Sequence, residues 1–224
     1  MVRVITISRE YGSGGAAAAS ALAERLGWRL VNESLLTEIA RLARVDRSVA
    51  ARYDECVSPW FHRLMRALWR GGFEGAVARV ESDFDADTMA ALCERVIREA
   101  ADIGNCVTVG RGGQCILQNR PDAFHVSIYA PLEIKLPRLH KRHPGANDLE
   151  SIAAEMDRRR ADYIRRYFGQ DWTNRHLYNL LVCSSIGIDA VVATILCAAG
   201  LRGQTATSAQ EPHSDLTEPS RANK

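Results

Sequence analysis

Short apolar runs alternate along the chain with longer stretches in which apolar residues recur at helical spacing. The apolar runs predict β-strands at residues 2–7, 28–31, 106–109, 125–130 and 177–185. Strands that alternate with helices are typical of a mostly parallel sheet with helices on both of its faces. The pattern therefore predicts an α/β fold built on a five-stranded parallel sheet.

Two of the helical stretches are long enough to form substructures of their own. Residues 46–103 predict an all-helical insertion with breaks near Pro59 and Gly71–Gly72, and residues 132–167 predict a second helical segment. We expect this second segment to be interrupted at Pro137 and again at Pro144–Gly145, because proline lacks the N–H that a helix interior requires.

The last part of the chain differs in composition from the rest. Residues 202–224 carry almost no large apolar side chains, so this segment cannot bury enough surface to offset the entropy of ordering it. We predict one globular domain over residues 1–201 and a disordered tail over residues 202–224.

The overall charge limits the classes of partner. Lys and Arg total 29 against 27 for Asp and Glu, which gives a net charge of +2 and no general attraction to nucleic acid or to a membrane. The N-terminus already predicts a strand and lacks the pattern of a signal peptide, and no apolar run reaches the roughly 18 residues of a membrane span. We expect a cytoplasmic protein, and nothing in the pattern indicates its oligomeric state.

The first predicted strand is followed by a glycine-rich turn and then by a segment of strong helix formers. In this arrangement the backbone N–H groups of Gly12, Ser13, Gly14 and Gly15 point at whatever lies above the helix N-terminus, where the helix dipole favours an anion. The turn therefore predicts a phosphate-binding loop. Glycines placed there only for close packing are the alternative.

The nonapeptide ISREYGSGG at residues 7–15 resembles the opening of cytidylate-kinase-like proteins, a family of P-loop nucleoside monophosphate kinases. The resemblance implies a P-loop NTPase-type three-layer α/β fold with a helical acceptor-side insertion at 46–103 and a lid at 132–167. It also implies transfer of the terminal phosphoryl group of ATP, with Mg2+, to the small-molecule nucleotide CMP or dCMP.

The chain departs from the P-loop pattern at the residues that usually contact the phosphates. Gly15 stands at the place of the lysine, and Ala17 stands at the place of the Ser or Thr that contacts magnesium. Ala16 and Ala17 also replace the Arg and Glu that this subfamily usually carries. Arg9 is the nearest candidate for the missing positive charge; a surface ion pair with Glu10 or another neighbour is its alternative role.

Three residues are candidates for binding the acceptor nucleotide. The segment VGRGGQCIL at 109–117 resembles the family's Gly-Arg-Gly element, which assigns Arg111 to the acceptor phosphate, although its glycines could simply form a turn. Asn32 stands where relatives usually have Asp, and it can also serve as a helix N-cap. Asp157 begins a run that fits the family's Asp-x-x-Arg-x-x-Tyr pattern.

A basic stretch from 138 to 166 predicts a local anion site within the lid. By resemblance we expect Arg138, Arg160 and Arg165 to be the catalytic cations, since phosphoryl transfer depends on positioning and charge neutralisation. Spacing limits the set, because the three consecutive arginines at 158–160 point in different directions around a helix.

Two other classes of function remain open at this point. The missing lysine and hydroxyl favour a nucleotide-binding pseudokinase, which would regulate rather than catalyse. A nucleic-acid-binding module could use the basic stretch, but the near-neutral total charge and the scarcity of interleaved aromatic residues disfavour it. His140 and His143 lie three residues apart without an apparent third ligand, so we expect no resident metal site.

Overall fold

The computed structural model describes residues 1–36 and 86–203. It contains a parallel five-stranded sheet of order β2-β3-β1-β4-β5, which confirms the predicted fold class. The strands are β1 (Val4–Arg9), β2 (Arg29–Val31), β3 (Cys106–Val109), β4 (Ala123–Tyr129) and β5 (Leu180–Cys183).

Helices cover both faces of the sheet and give the fold three layers. Those described are α1 (Gly15–Leu26), α2 (Ala86–Ile103), α3 (Gly113–Ile116), α4 (Leu132–Arg142), α5 (Leu149–Phe168) and α6 (Ile188–Ala198). Helices α1 and α6 share one apolar core with the sheet, whereas α2 and α3 share a second core on the opposite face.

The central strand β1 ends at the carboxyl edge of the sheet, where a functional site is expected. Ile5 and Ile7 are buried in the core beneath α1, and Val4 is buried in the opposite core. A strand that is apolar on both faces is held between two helical layers. Its carboxyl end therefore opens at the edge where parallel α/β sheets bind ligands.

The expected interruption at Pro137 is wrong, because Pro137 lies inside the continuous helix α4. A proline there removes one backbone hydrogen bond, a local cost of about 3 kcal/mol. Contacts on both sides of it hold the helix: Lys135 forms an ion pair with Glu10, and Leu139 is buried. The second expected interruption is confirmed, since α4 ends before Pro144 and α5 begins at Leu149.

The last strand is shorter than its apolar run suggested. Strand β5 is flanked by short 3-10 turns at Arg175–Leu177 and Ser184–Ile186, which take up the ends of the predicted segment. Helix α2 supplies the described part of the predicted insertion. The rest of that insertion, with its breaks at Pro59 and Gly71–Gly72, and the tail from residue 204 lie outside the described residues.

Among the helices of the described ranges, none combines the length and the apolar character needed to cross a membrane.

A buried polar pair joins two strands within the core that α2 and α3 cover. The Nδ1 atom of His125 on β4 lies 2.8 Å from the Thr6 hydroxyl on β1, and the backbone of His125 bonds in both directions with Asn179. Burial lowers the pKa of His125, while a backbone hydrogen bond at Leu117 opposes the shift.

We predict that His125 makes the protein less stable in mild acid. The unfolded chain takes up the imidazole proton at about pH 6.5, whereas the folded protein takes it up only at lower pH. Stability should therefore fall as the pH drops below about 6.5. Thermal unfolding between pH 7.5 and about pH 5 should show a smaller loss of Tm in His125→Gln than in the parent protein. The exposed His140→Gln variant is the control. Equal slopes of Tm against pH in the His125→Gln and His140→Gln variants would show that His125 does not cause the loss of stability.

Candidate functional site

The loop between β1 and α1 has the backbone of a phosphate-binding turn. Gly12 and Gly14 have φ values of 79° and 80°, in the left-handed region that glycine adopts without steric cost. Gly14 caps α1 without any side-chain hydrogen bond, so the first N–H groups of the helix face the loop. The Ser13 hydroxyl donates to the Glu10 carbonyl at 2.8 Å and is buried, so Ser13 can offer a ligand only its backbone.

The side chain of Arg9 passes from the end of β1 between two glycines. A Cβ atom added at Gly15 would lie 2.5 Å from the Cβ of Arg9, and one added at Gly110 would overlap the Arg9 guanidinium. Arg9 thus occupies the volume that side chains at both positions would need. Its alternative role as a partner of Glu10 does not hold, because Glu10 binds Lys135 at 2.7 Å.

Among the described residues, the carboxylates of Glu33 and Asp157 attract the guanidinium of Arg9 only from a distance. No described residue forms a hydrogen bond or an ion pair with it. Burial, followed by the nearby positive charge of Arg160, lowers the pKa of Arg9 to about 10. A cation that is largely shielded from water and lies near other cations strongly favours an anion beside it.

Two cavities meet at Arg9. The larger, of about 460 Å³, lies over the glycine loop, and the smaller, of about 220 Å³, lies at the carboxyl ends of β1 and β3. The residues that line both are Arg9, Glu33, Val109, Met156 and Arg160. Arg9 and Arg160 thus place two guanidinium groups where the cavities meet. Such an arrangement suits the transfer of a negatively charged group between a ligand in one cavity and a ligand in the other.

Helix α4 contacts the glycine loop through Arg138. One guanidinium nitrogen, Nη1, donates to the Gly12 carbonyl at 3.3 Å and to the Ser184 hydroxyl at 3.0 Å. Ser184 in turn donates to the Ser13 carbonyl at 2.5 Å. Arg138 lines the larger cavity, so its position is consistent with the role predicted for it.

Helix α5 contacts the same loop through Arg160 and Asp157. Arg160 Nη1 donates to Asp157 Oδ1 at 2.7 Å and to the Arg9 carbonyl at 3.3 Å, and the same carboxylate oxygen accepts from the Tyr11 N–H at 2.7 Å. Burial raises the pKa of Asp157 although these contacts act in the opposite direction. Asp157 lines neither cavity, so it positions Arg160 and the loop.

The second glycine segment places Arg111 at the smaller cavity. Gly110, Arg111 and Gly112 all have positive φ, and Arg111 itself is at 52°, a backbone conformation that is uncommon for a residue with a side chain and is concentrated at functional sites. Its Nη2 atom donates to Glu33 Oε1 at 2.8 Å. Arg111 is thus held by a carboxylate at the place predicted for an acceptor phosphate.

Asn32 is a helix cap, and it lines the larger cavity and not the smaller one. Its Oδ1 atom accepts from the Leu35 N–H at 3.0 Å. The predicted N-cap is therefore confirmed, and the next residue, Glu33, binds Arg111.

Arg165 is exposed and lines neither cavity, so the structure does not bring it together with Arg138 and Arg160. Arg158 and Arg159 both bind Glu155, and Arg159 also lines the smaller cavity. Of the three consecutive arginines at 158–160, Arg160 is the one that lines both cavities, as their different directions around the helix predict.

Several cavity residues were not singled out from the sequence. Glu33, which lines both cavities, follows a polar helix cap and carries no motif of its own. Arg142 was one of many cations in the basic stretch. Trp172 lines the smaller cavity and donates through Nε1 to the Ser8 hydroxyl at 2.7 Å.

The described residues do not fit a resident magnesium ion. Ala17 offers no hydroxyl, and the described ranges contain no group of three His, Cys, Asp or Glu side chains that could hold a metal. The carboxylates that line the larger cavity, Glu10 and Glu33, are ion-paired with Lys135 and Arg111.

The strand order, the glycine loop after β1 and the helical layers define a P-loop NTPase-type fold. A model of the cytidylate kinase-like family matches residues 4–186, and the chain belongs to that family. No curated protein matches the chain significantly.

Solved structures of similar shape share little sequence with it. An uncharacterized protein from Eubacterium ventriosum is 20% identical with a TM-score of 0.64, and the match covers 89% of this chain and 99% of that one. A shikimate kinase from Bacteroides thetaiotaomicron is 14% identical with a TM-score of 0.46 (89% and 99% covered). A gluconokinase from Sinorhizobium meliloti is 13% identical with a TM-score of 0.48 (88% and 91% covered). The first of these likenesses supports the fold alone.

We predict that Gly15→Ala destabilises the protein. Alanine is favoured over glycine in helices by about 1 kcal/mol, but here the new methyl group would meet the Arg9 Cβ at 2.5 Å. Overpacking of this kind costs about 1–3 kcal/mol. Urea denaturation should show the loss, and Gly203→Ala, whose added Cβ meets nothing within 4 Å, is the matched control. A Gly15→Ala protein at least as stable as its parent would show that Arg9 does not fill this space.

Proposed function

We propose that this member of the family is a phosphotransferase that moves the terminal phosphoryl group of ATP to CMP or dCMP. Family membership supports the kinase class. The observation that carries the proposal is the position of Arg9, a largely shielded cation without a described partner at the junction of a cavity over the glycine loop and a cavity beside Arg111.

In the proposed reaction the ATP phosphates lie against the backbone N–H groups of residues 12–15, with Arg138 beside the loop. The acceptor phosphate lies at Arg111, and one of its oxygens attacks the terminal phosphorus of ATP. The bond from that phosphorus to the bridging oxygen breaks, which gives ADP and the nucleoside diphosphate. Arg9 and Arg160, at the junction, offset the charge on the transferred group.

In this proposal Arg9 supplies the charge of the P-loop lysine from the end of β1, whereas the lysine would supply it from the start of α1. A lysine at position 15 would extend from the start of α1, but the stem of Arg9 already fills the space beside Gly15. A guanidinium also differs from an ammonium in presenting several N–H donors in one plane, which suits phosphate oxygens on two neighbouring groups. Magnesium that arrives with ATP would screen the phosphates further.

A second candidate function keeps nucleotide binding without turnover. It is favoured by the absence of a lysine and of a hydroxyl at Gly15 and Ala17, together with the lack of a fit for a resident metal among the described residues. Such a protein would bind ATP over the same loop and signal its presence to a partner.

We expect the purified full-length protein with ATP and magnesium to produce CDP or dCDP faster than UDP or ADP from the corresponding monophosphates. Arg9→Gln should lower kcat/KM for CMP by about 10²-fold or more, the effect of removing a preorganised donor from a charged transition state. Arg158→Gln, which removes an exposed arginine paired with Glu155, should stay within about twofold.

Direct measurement of the diphosphate product separates the two candidates. Thermal stabilisation by ATP without any diphosphate would replace the kinase by the binding protein. Equal losses in Arg9→Gln and Arg158→Gln would show that catalysis does not depend on the junction of the cavities.

A further inference from the structure

Tyr11 is fixed at both of its ends immediately before the glycine loop. Its backbone N–H donates to Asp157 on α5, and its hydroxyl lies 2.7 Å from Nε2 of His143, the residue that follows α4. The residue is 8% exposed. Tyr11 therefore joins the loop to both helices of the lid.

Two guanidinium groups lie over the ring of Tyr11. Arg142, at the end of α4, and Arg160, on α5, each place the guanidinium carbon 5.4 Å from the ring centroid. Both side chains line the larger cavity, above the glycine loop. Two like charges at one ring repel each other, and the negative face of the aromatic ring offsets part of that repulsion.

The two arginines differ in their other partners. Arg160 is neutralised by Asp157, whereas Arg142 has no hydrogen bond and no carboxylate within ion-pair distance among the described residues. An aromatic face orients a guanidinium and leaves its N–H donors free. A carboxylate in the same place would occupy those donors and compete with a phosphate for them.

The start of α1 makes such cations necessary. Gly15, Ala16 and Ala17 supply no positive side chain, so the charge over the loop has to come from β1 and the lid helices. We propose that Tyr11 is a positioning residue that holds Arg142 and Arg160 over the glycine loop, and that Arg142 binds the polyphosphate of a nucleoside triphosphate. This inference shares its donor site with the proposed function, but it requires binding only and no turnover.

A double-mutant cycle tests the coupling between Tyr11 and Arg142. The affinity of the full-length protein for ATP, ADP and AMP would be measured by calorimetry at low salt for Tyr11→Leu, Arg142→Gln and the double variant. We expect each single change to weaken ATP binding about tenfold and the double change to weaken it little further. The loss should shrink from ATP to ADP to AMP, because fewer phosphates reach Arg142.

Two further variants separate positioning from folding. Tyr11→Phe keeps the ring and should hold ATP affinity within about threefold, even if Tyr11→Leu proves unstable. Arg158→Gln on the outer face of α5 is the matched loss of charge and should leave the affinity unchanged.

Additive losses in the cycle would overturn the coupling, and equal losses for ATP and AMP would show a structural role that is not directed at phosphate. A parent protein that binds no ATP would overturn this inference together with the proposed function. ATP binding without product, with the cycle still non-additive, would overturn the proposed kinase activity and leave the role of Tyr11 standing.

Discussion

The arrangement of both glycine segments depends on the passage of the Arg9 side chain between them. Its stem lies against Gly15 and its guanidinium against Gly110, so neither position has room for a Cβ atom. The same passage shields the cation from water and lowers its pKa to about 10. A charge held in this way destabilises the fold until an anion lies beside it, and in the proposed function phosphate binding would offset that cost. The glycines and the missing lysine are thus two consequences of one steric arrangement.

Helices α4 and α5 are held beside this arginine by a partly buried network of charges. Lys135 on α4 binds Glu10 at 2.7 Å and lies 3.8 Å from Asp157, which binds Arg160. Removal of one member of such a network leaves its partner as an uncompensated charge, which costs more than the pair contributes. These contacts, together with the bond from Arg138 to the Gly12 carbonyl, hold α4 and α5 against the loop. Internal contacts of the fold thus place Arg138 and Arg160 beside the loop.

The sheet could be predicted from the sequence because a strand that is buried on both faces consists of a short, continuous run of apolar residues. The same reasoning recovered the Asn32 cap, which depends on residues within one turn. It failed for Pro137, where contacts with Glu10 and Ser184 from distant parts of the chain outweigh a local preference. It left Arg9 undecided for a related reason. Whether an arginine is a surface ion or a shielded cation depends on Gly110, which lies about a hundred residues further along the chain.

The cavity proposed for the acceptor differs in its electrostatics from the cavity proposed for the donor. Arg111 already has a counter-ion in Glu33, whose side chain is 69% exposed. Ion pairs of such exposure contribute about 0–1 kcal/mol, so an incoming phosphate would displace the carboxylate at little cost. Meanwhile the pair keeps the guanidinium directed toward the cavity, on a backbone that is strained at a φ of 52°. Since a phosphate carries more charge and more acceptor oxygens than a carboxylate, that exchange would favour a phosphate. In the proposed reaction, donor binding would thus neutralise a cation that no described residue pairs with, whereas acceptor binding would replace a weak internal partner by a stronger one.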